Sequence, residues 1–537
     1  MTVTRYIAAA VCAASVLSAA AQTQLSTEVV VDRTVEPARR AATRPANLYP
    51  ELVLPPVGHI DLNTARYAGF GPVTRDYTPL AAASAPALTS ISPWRGYLSA
   101  GYFPTYNLGV SAGYRLLNSH RTRLSLWGQF DGMSFKDKDE SNFSQKFNGA
   151  RIGIDLSQRV GENSHLTAKL SGGYDSYESM LLERQTLGTA DLSVSWLSKA
   201  GPVHYLVGIS GALDSYGDAA LRADKDIKIT TPDQRMFGFA AAASYAFDRN
   251  QRAGLDIEGD WVSSSCGPTP LGTVGFTPFY AWQSRRFAAR LGARLDVATG
   301  GEGSKFSAAP RVNISWMPTG RFALYGTATG GMMLNPLRDL RQYTPFMPAI
   351  LAYGRSKVPV DATVGFNVGP VSGLTVEVSG SYARADDRVM PVAIVPISMM
   401  PADVSAFRAG IKVTYEYGRL LTVSAGAQFA QSSATKAWYE WLDRASTVIN
   451  AEATVRPLDA LKINVGYEFR GGRKMLSLDG TTGLGCKSDL MAGAAYDFTE
   501  QFGVFARVEN ILGRRYAFIP GVESQGAHGL VGVNLKF

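Results

Sequence analysis

The last nine residues, GLVGVNLKF, constrain this chain more than any other stretch. Side chains alternate across a β-strand, so Val531, Val533, Leu535 and Phe537 share one face, with Gly532, Asn534 and Lys536 on the other. One greasy face and one polar face run to the terminal residue. The same alternation recurs back to about residue 95. In 461–470, Leu461, Ile463, Val465, Tyr467 and Phe469 oppose Lys462, Asn464, Glu468 and Arg470. In 286–297, Phe287, Ala289, Leu291, Ala293, Leu295 and Val297 oppose Arg286, Arg290, Arg294 and Asp296. In 255–261, Leu255, Ile257 and Trp261 oppose Asp256, Glu258 and Asp260. A soluble sandwich also alternates, but its solvated face does not need charge after charge along the whole chain.

The connections turn alternation into architecture. From residue 95 onward the sequence predicts about 22 strands whose links alternate short and long. The short ones include 161–164, 248–251, 317–320, 417–420, 456–459 and 499–501; the long ones are 215–233, 264–272, 333–356, 388–404, 433–441, 471–487 and 513–527. Short inner turns with longer outer loops are what a transmembrane barrel shows. Aromatics end several strands beside the short turns (Trp196, Tyr245, Phe247, Trp316, Tyr415, Tyr417, Tyr496 and Phe498), as an interfacial girdle requires. In hydrocarbon a sheet must close on itself to satisfy its edge hydrogen bonds. The fold class expected is all-β: a transmembrane antiparallel β-barrel of about 22 strands, with a short, mostly extended N-terminal segment.

The first residues point the same way. MTVTRYIAAAVCAASVLSAAAQ carries one basic residue, Arg5, an apolar run from Ile7 to about Leu17, and small residues at Ala19 and Ala21. That predicts a signal peptide over 1–21, cleaved near Ala21, and export to the outer membrane; the run is too short to span a bilayer as a helix. Residues 22–94 are rich in proline, which cannot donate to a ladder and restricts its neighbour, so an extended periplasmic or lumenal segment is expected, followed by a barrel over 95–537. Mean hydropathy of −0.03 suits a barrel, where lipid-facing and lumen-facing residues average out. A net charge of +8 is modest for 537 residues and gives no reason to invoke nucleic acid.

No convergent chemistry is legible. His59, His120, His165, His204 and His528 are scattered, with no His-x-His pair and no His-Glu-x-x-His motif, so neither a metal site nor a catalytic residue is assigned. The glycine run at 300–304 lacks the Lys-Ser/Thr and the strand–helix frame of a phosphate cradle. Cys266 and Cys486 fall in outer loops far apart around the ring and are expected as free thiols. The chain reads as a non-enzyme without cofactor.

VENILGRRYAFIPG (508–521), followed by a closing strand ending in Phe, resembles the C-terminal end of TonB-dependent receptors, with Asn510, Tyr516, Pro520 and Gly521 at matching places. The resemblance implies a 22-strand barrel, and it makes Phe537 a C-terminal signal read by the barrel assembly machinery. Thr27, Glu28, Val29, Val30 and Val31 resemble a TonB box, the strand-forming segment that pairs with a TonB-type energiser. The family's plug domain is far longer than residues 22–94, so a plugless or plug-reduced relative is implied.

Two function classes stay open. One is a barrel for transport or ligand passage across the outer membrane, embedded in its lipid, with Arg286, Arg290, Arg294, Lys462, Asn464 and Glu468 facing the lumen. The other is a structural or docking subunit of an outer-membrane complex, partnered by an outer-membrane lipoprotein or a periplasmic protein. Two apolar, Met-rich outer loops, 332–354 and 388–404, carry that choice. With Met390, Met399 and Met400 exposed they make an interface; folded inward they make a lumen lid. A barrel this wide needs something across it to keep the membrane sealed.

Overall fold

The computed structural model describes residues 94–537, apart from 105, 137–143, 179–182, 221, 223–224, 227, 266–269, 302–304, 341–353, 393–397, 435–444, 478–479, 484 and 520–521. The expected signal peptide, the proline-rich segment and Thr27–Val31 lie outside the described residues. The described residues form one closed sheet of 22 antiparallel strands, with three small two-stranded sheets in the connections, at Ala219–Ala220 with Lys228–Ile229, Lys474–Ser477 with Gly480–Gly483, and Ala517–Ile519 with Val522–Glu523. Each strand pairs with its neighbour in chain order, and the first, Gly96–Phe103, pairs with the last, His528–Lys536, from Tyr97↔Lys536 to Tyr102↔Val531. The barrel thus begins one residue from where the alternation predicts. No described helix is long and apolar enough to cross a membrane; among the described residues the α-helix is a single turn, Leu337–Leu340.

Alternation sorts the wall into two faces. On Phe287–Thr299, Leu291, Leu295 and Val297 are exposed outward, whereas Asp296 is fully buried on the inner side. Ile152 at 71 % and Val364 at 65 % exposure belong to the same outer belt. So large a continuous apolar surface does not persist in water, and it is the lipid-facing side of the sheet. The aromatics beside the short turns are exposed at one end of that belt, among them Tyr245, Phe247, Trp316, Tyr417 and Phe498. Several pair with one another, as Tyr496 does edge-on with Phe498 at 4.8 Å between centroids.

The seam is shaped by the terminal aromatic. Phe537 exchanges backbone hydrogen bonds with Gly96, and its ring lies over that glycine, where a Cβ would stand 2.3 Å from a ring carbon. Only glycine leaves room for the ring, which also stacks near Tyr114 at 6.2 Å. A glycine covered by a cross-strand aromatic pins register at the point where the sheet closes.

One strand leaves the wall. Phe322–Asn335 pairs with Phe306–Thr319 only between Thr319 and Val312, although the latter strand continues along its other neighbour up to Phe306. Pro310 lies in the stretch without that ladder; it has no N–H to offer, and such positions tolerate it. Beyond a register shift at Thr329–Gly331 the chain turns inward onto Asp296, still paired with the next strand from Gly331↔Val358 to Asn335↔Gly354. Gly331 makes the turn possible. Its φ is +133°, a region L side chains rarely adopt, and a Cβ would stand 2.7 Å from both Arg294 Nε and Asp296 Oδ2.

Candidate functional site in the lumen

From Gly330 to Arg338 the chain forms a strap across the inner wall. Gly330 lies against Ala309, and the Met332 N–H donates to Asp296 Oδ2 at 2.9 Å. Leu334 packs with Val262 and Leu271, against Met236, in a small apolar patch on an otherwise polar wall. Covering one such leucine contributes roughly 1.5–3 kcal/mol. The Leu337 N–H donates to Gln234 Oε1 at 2.7 Å, and Arg338 ends the run on Asp214 and Asp191. These partners sit on seven successive strands, from Phe306–Thr319 back to Gln185–Ala200. An extended chain covers about 3.3 Å per residue, so Gly330 to Leu337 reaches about 23 Å, and the long Arg338 side chain extends it further. Six steps along the wall at about 4.8 Å come to roughly 29 Å, and a chord is shorter than its arc.

Arg338 is the strap's far anchor. Its Nε donates to Asp214 Oδ2 at 3.0 Å and its Nη2 to Asp214 Oδ1, while Nη1 donates to Asp191 Oδ1 at 2.6 Å. This is a two-pronged guanidinium–carboxylate fork with a third bond beside it. The Asp214 side chain is fully buried and that of Arg338 is 12 % exposed. Burial works against the charged guanidinium, but the hydrogen bond and charge of Asp214, with Asp191, outweigh it and raise its pKa. Breaking a buried pair on one side costs about 3–5 kcal/mol, because the remaining charge loses its partner.

Below the strap the wall is a ladder of ion pairs. Arg290 donates to Asp256, and Arg294 bonds both Glu258 at 2.6 Å and Asp296 at 2.7 Å. Arg290 and Arg294 share one face of the sheet with Asp256, Glu258 and Asp296. Arg286 is instead exposed in the connection 284–286, since the strand starts at Phe287, where Ser284 Oγ accepts the Phe287 N–H at 3.1 Å. Lys462 and Asn464 lie on the polar parity of Leu461–Gly471, Lys462 exposed near the turn and Asn464 over Gly493. Glu468 accepts from Arg470 and, at 2.6 Å, from Lys487.

That second cluster supports the terminal outer connection. Asn510, at φ +47°, takes its N–H to Asp489 Oδ1 and donates its amide to the Arg514 and Gln525 carbonyls, each at 2.8 Å. It ties together both feet of the loop. Tyr516 is buried beneath it, with Lys487 Nζ 5.5 Å and Arg473 5.8 Å from its ring centroid. Burial pushes the Tyr516 phenol well above its usual range. Pro520 and Gly521 lie outside the described residues.

One expectation about the outer loops changes. The segment 388–404 is largely not loop: the strands Leu374–Val392 and Ser398–Tyr417 continue through it, with Met390 opposite Met400 and Pro391 opposite Met399. Its apolar residues lack alternation and so read as loop, yet β-branched Val389 and Val392 suit a ladder. Only 393–397 separate the strands, and the side chains of the three methionines lie outside the description. For 332–354 the sequence leaves interface and lid open; the described part, up to Leu340, lies inside. Arg338, Asp191, Asp214 and Gln234 were missed. The available signal was Gly330–Gly331 in mid-strand, a pattern that marks a bulge or a close backbone approach.

Cys486 is free and exposed, and Cys266 lies outside the described residues. Among the described residues no group of three or more His, Cys, Asp and Glu is placed to hold a metal ion.

No family model matches the sequence, and no curated protein matches it. Solved structures do. The chain is similar to the FrpB iron transporter from Neisseria meningitidis, with a TM-score of 0.62 at 10 % identity over 83 % of this chain and 81 % of that one. The siderophore receptor PirA from Acinetobacter baumannii gives 0.60 at 11 % over 83 % and 80 %. The copper transporter OprC gives 0.61 at 11 % over 82 % and 80 %. At such identity the likeness concerns fold alone, and the fold is that of the 22-strand barrels of TonB-dependent receptors.

Proposed function

We propose that this chain is an exported outer-membrane barrel that passes a polar cargo through its lumen, and that the strap is the gate on that route. The observation that carries the reading is the pinning of Gly330–Arg338 across seven strands of a charged inner wall. A lumen that exists only as structural filler has no need of a crossing held at its far end by one side chain. The printed names of the similar structures, a siderophore receptor and iron and copper transporters, support a cargo-passing role. In this reading the chain is not an enzyme, Phe537 serves recognition by the assembly machinery, and Thr27–Val31 offer a strand to a TonB-type energiser. Lys462, Asn464 and Glu468, with Arg290 and Arg294, line the polar route.

The test is conductance. Arg338→Ala in the purified barrel, placed in a planar bilayer, should raise mean ion conductance severalfold over the unmodified protein. The same substitution in cells should sensitise them to large antibiotics. Unchanged conductance and unchanged sensitivity would remove the gate from this account.

A second reading, a docking barrel, rests on the hairpin of Leu374–Val392 and Ser398–Tyr417. At 19 and 20 residues these are the longest strands, and the next one, Leu421–Ala434, has 14. The hairpin rises past its neighbour by roughly 17–20 Å at 3.3 Å per residue, enough to present an edge to a partner. Stoichiometric co-purification of another protein in mild detergent, lost when Met390–Met400 is shortened, supports it.

A further inference from the structure

The wall under the far end of the strap is shaped around a guanidinium. Asp214 is a carboxylate with a fully buried side chain, a placement that is costly without a cation beside it. Asp191, on the next strand and two rungs deeper, supplies a second carboxylate on the same face. Gln234 stands directly opposite Asp214 across the other ladder and is likewise fully buried. Its Oε1 accepts the strap's Leu337 N–H, while its Nε2 has no acceptor among the described residues. An unused buried donor costs about 1–3 kcal/mol, so the pocket is incompletely satisfied by the strap that fills it. Two acidic groups take a planar fork, and an amide donor beside them waits for an oxygen.

We propose that Asp191, Asp214 and Gln234 form a binding site for an arginyl group on the cargo, and that Arg338 fills it as an internal stand-in until the cargo displaces it. This rests on the passage reading above and names the class of cargo. A guanidinium meets Asp214 through two parallel N–H donors, which a lysine ammonium cannot copy. A peptide carbonyl or a carboxylate on the same ligand supplies the oxygen that Gln234 Nε2 lacks. The exchange replaces one guanidinium with another, so Asp214 is paired before and after. Arg338 competes for the same carboxylates, so the apparent affinity of the unmodified protein falls in proportion to the fraction of time the pocket stands open.

The experiment is equilibrium calorimetry on the full chain in detergent, with N-acetylarginine methylamide, agmatine and N-acetyllysine methylamide as probes. Folding of each variant is checked by its heat-dependent gel mobility. Arg338→Ala should bind N-acetylarginine methylamide at least tenfold more tightly than the unmodified protein. Agmatine, which has no acceptor oxygen, should bind that variant several-fold more weakly, and the lysine probe more weakly still. Adding Asp214→Asn to Arg338→Ala should abolish saturable binding. Arg338→Lys keeps the charge without the fork and should lie between the two, so the proposal stays testable if the alanine variant misfolds. Equal affinity of Arg338→Ala and the unmodified protein, no preference for the arginyl probe, or binding that survives Asp214→Asn would each overturn the site. Because no conductance is read, a gate that fails in the bilayer with arginyl binding intact defeats the passage reading alone. The reverse result defeats the site alone.

Discussion

Two outer connections fold over the inner wall, and they are held by different kinds of contact. The terminal connection is tied at its own feet: Asn510 bonds carbonyls four and fifteen residues away, and Asp489 on the adjoining strand. The strap is paired with the following strand from Gly331↔Val358 to Asn335↔Gly354, but its end is tied far from its feet. Arg338 bonds partners 124 and 147 residues distant in sequence, and Leu337 one 103 residues distant. Local ties form with the hairpin that carries them and persist as long as the hairpin does. Distant ties form only after the wall exists, and losing them leaves every barrel ladder in place. The terminal connection is therefore held by its own hairpin, whereas the far end of the strap, beyond its ladder with the next strand, is held by the wall alone.

The sharpest way to break this contrast is Arg338→Ala. It leaves buried Asp214 unpaired, worth about 3–5 kcal/mol, and the strap can relieve that only by lifting. Backbone amides of 331–338 should exchange hydrogen more than tenfold faster, with 510–527 unaffected. Faster exchange in both segments, or in neither, would mean the two connections are one unit. A smaller effect is expected from Asn510→Ala, which removes two amide donations and places alanine at a positive φ. The cost is about 1–3 kcal/mol, and it falls on the strand before the seam. Here the temperature at which the barrel loses its folded gel mobility should drop, with strap exchange unchanged. Smallest of all, Lys225→Ala removes an exposed pair with Glu183 at 3.1 Å, which contributes less than about 0.5 kcal/mol. A measurable shift in strap exchange for this variant would show that the outer rim, rather than the wall pocket, holds the strap.

The same contrast explains what was legible. Residues 461–470 and 287–297 announce a strand because each needs only its own neighbours to show two faces. Asn510, Tyr516 and Phe537 are legible as a resemblance because a local tie keeps its members close in sequence. Asp191 and Asp214 look like any other polar lumen position, and nothing near them in the chain says that Arg338 will arrive. Arg286 shares the polar parity but stands at the turn, where its carbonyl still accepts the Met317 N–H while its side chain is exposed. Residues 388–404 read as loop in the sequence because a strand beyond the lipid belt is released from alternation, so the pattern that finds the others falls silent there.

The seam has a kinetic consequence. Every other ladder in the wall joins strands adjacent in the chain, so each hairpin is ready to form as soon as its second strand is present. Gly96–Phe103 and His528–Lys536 are the exception, since their six rungs need both extremes of the barrel sequence at once. Loop-closure entropy grows by only about 0.6 kcal/mol for each doubling of length, so the obstacle is one of order rather than of magnitude. Until that last ladder zips, the growing sheet has two raw edges, each a template for pairing with the wrong chain. The ring of Phe537 over Gly96 makes the correct edge recognisable by shape. A barrel otherwise assembled from short-range steps thus stakes its closure on a single late encounter, at the edge where Phe537 covers Gly96.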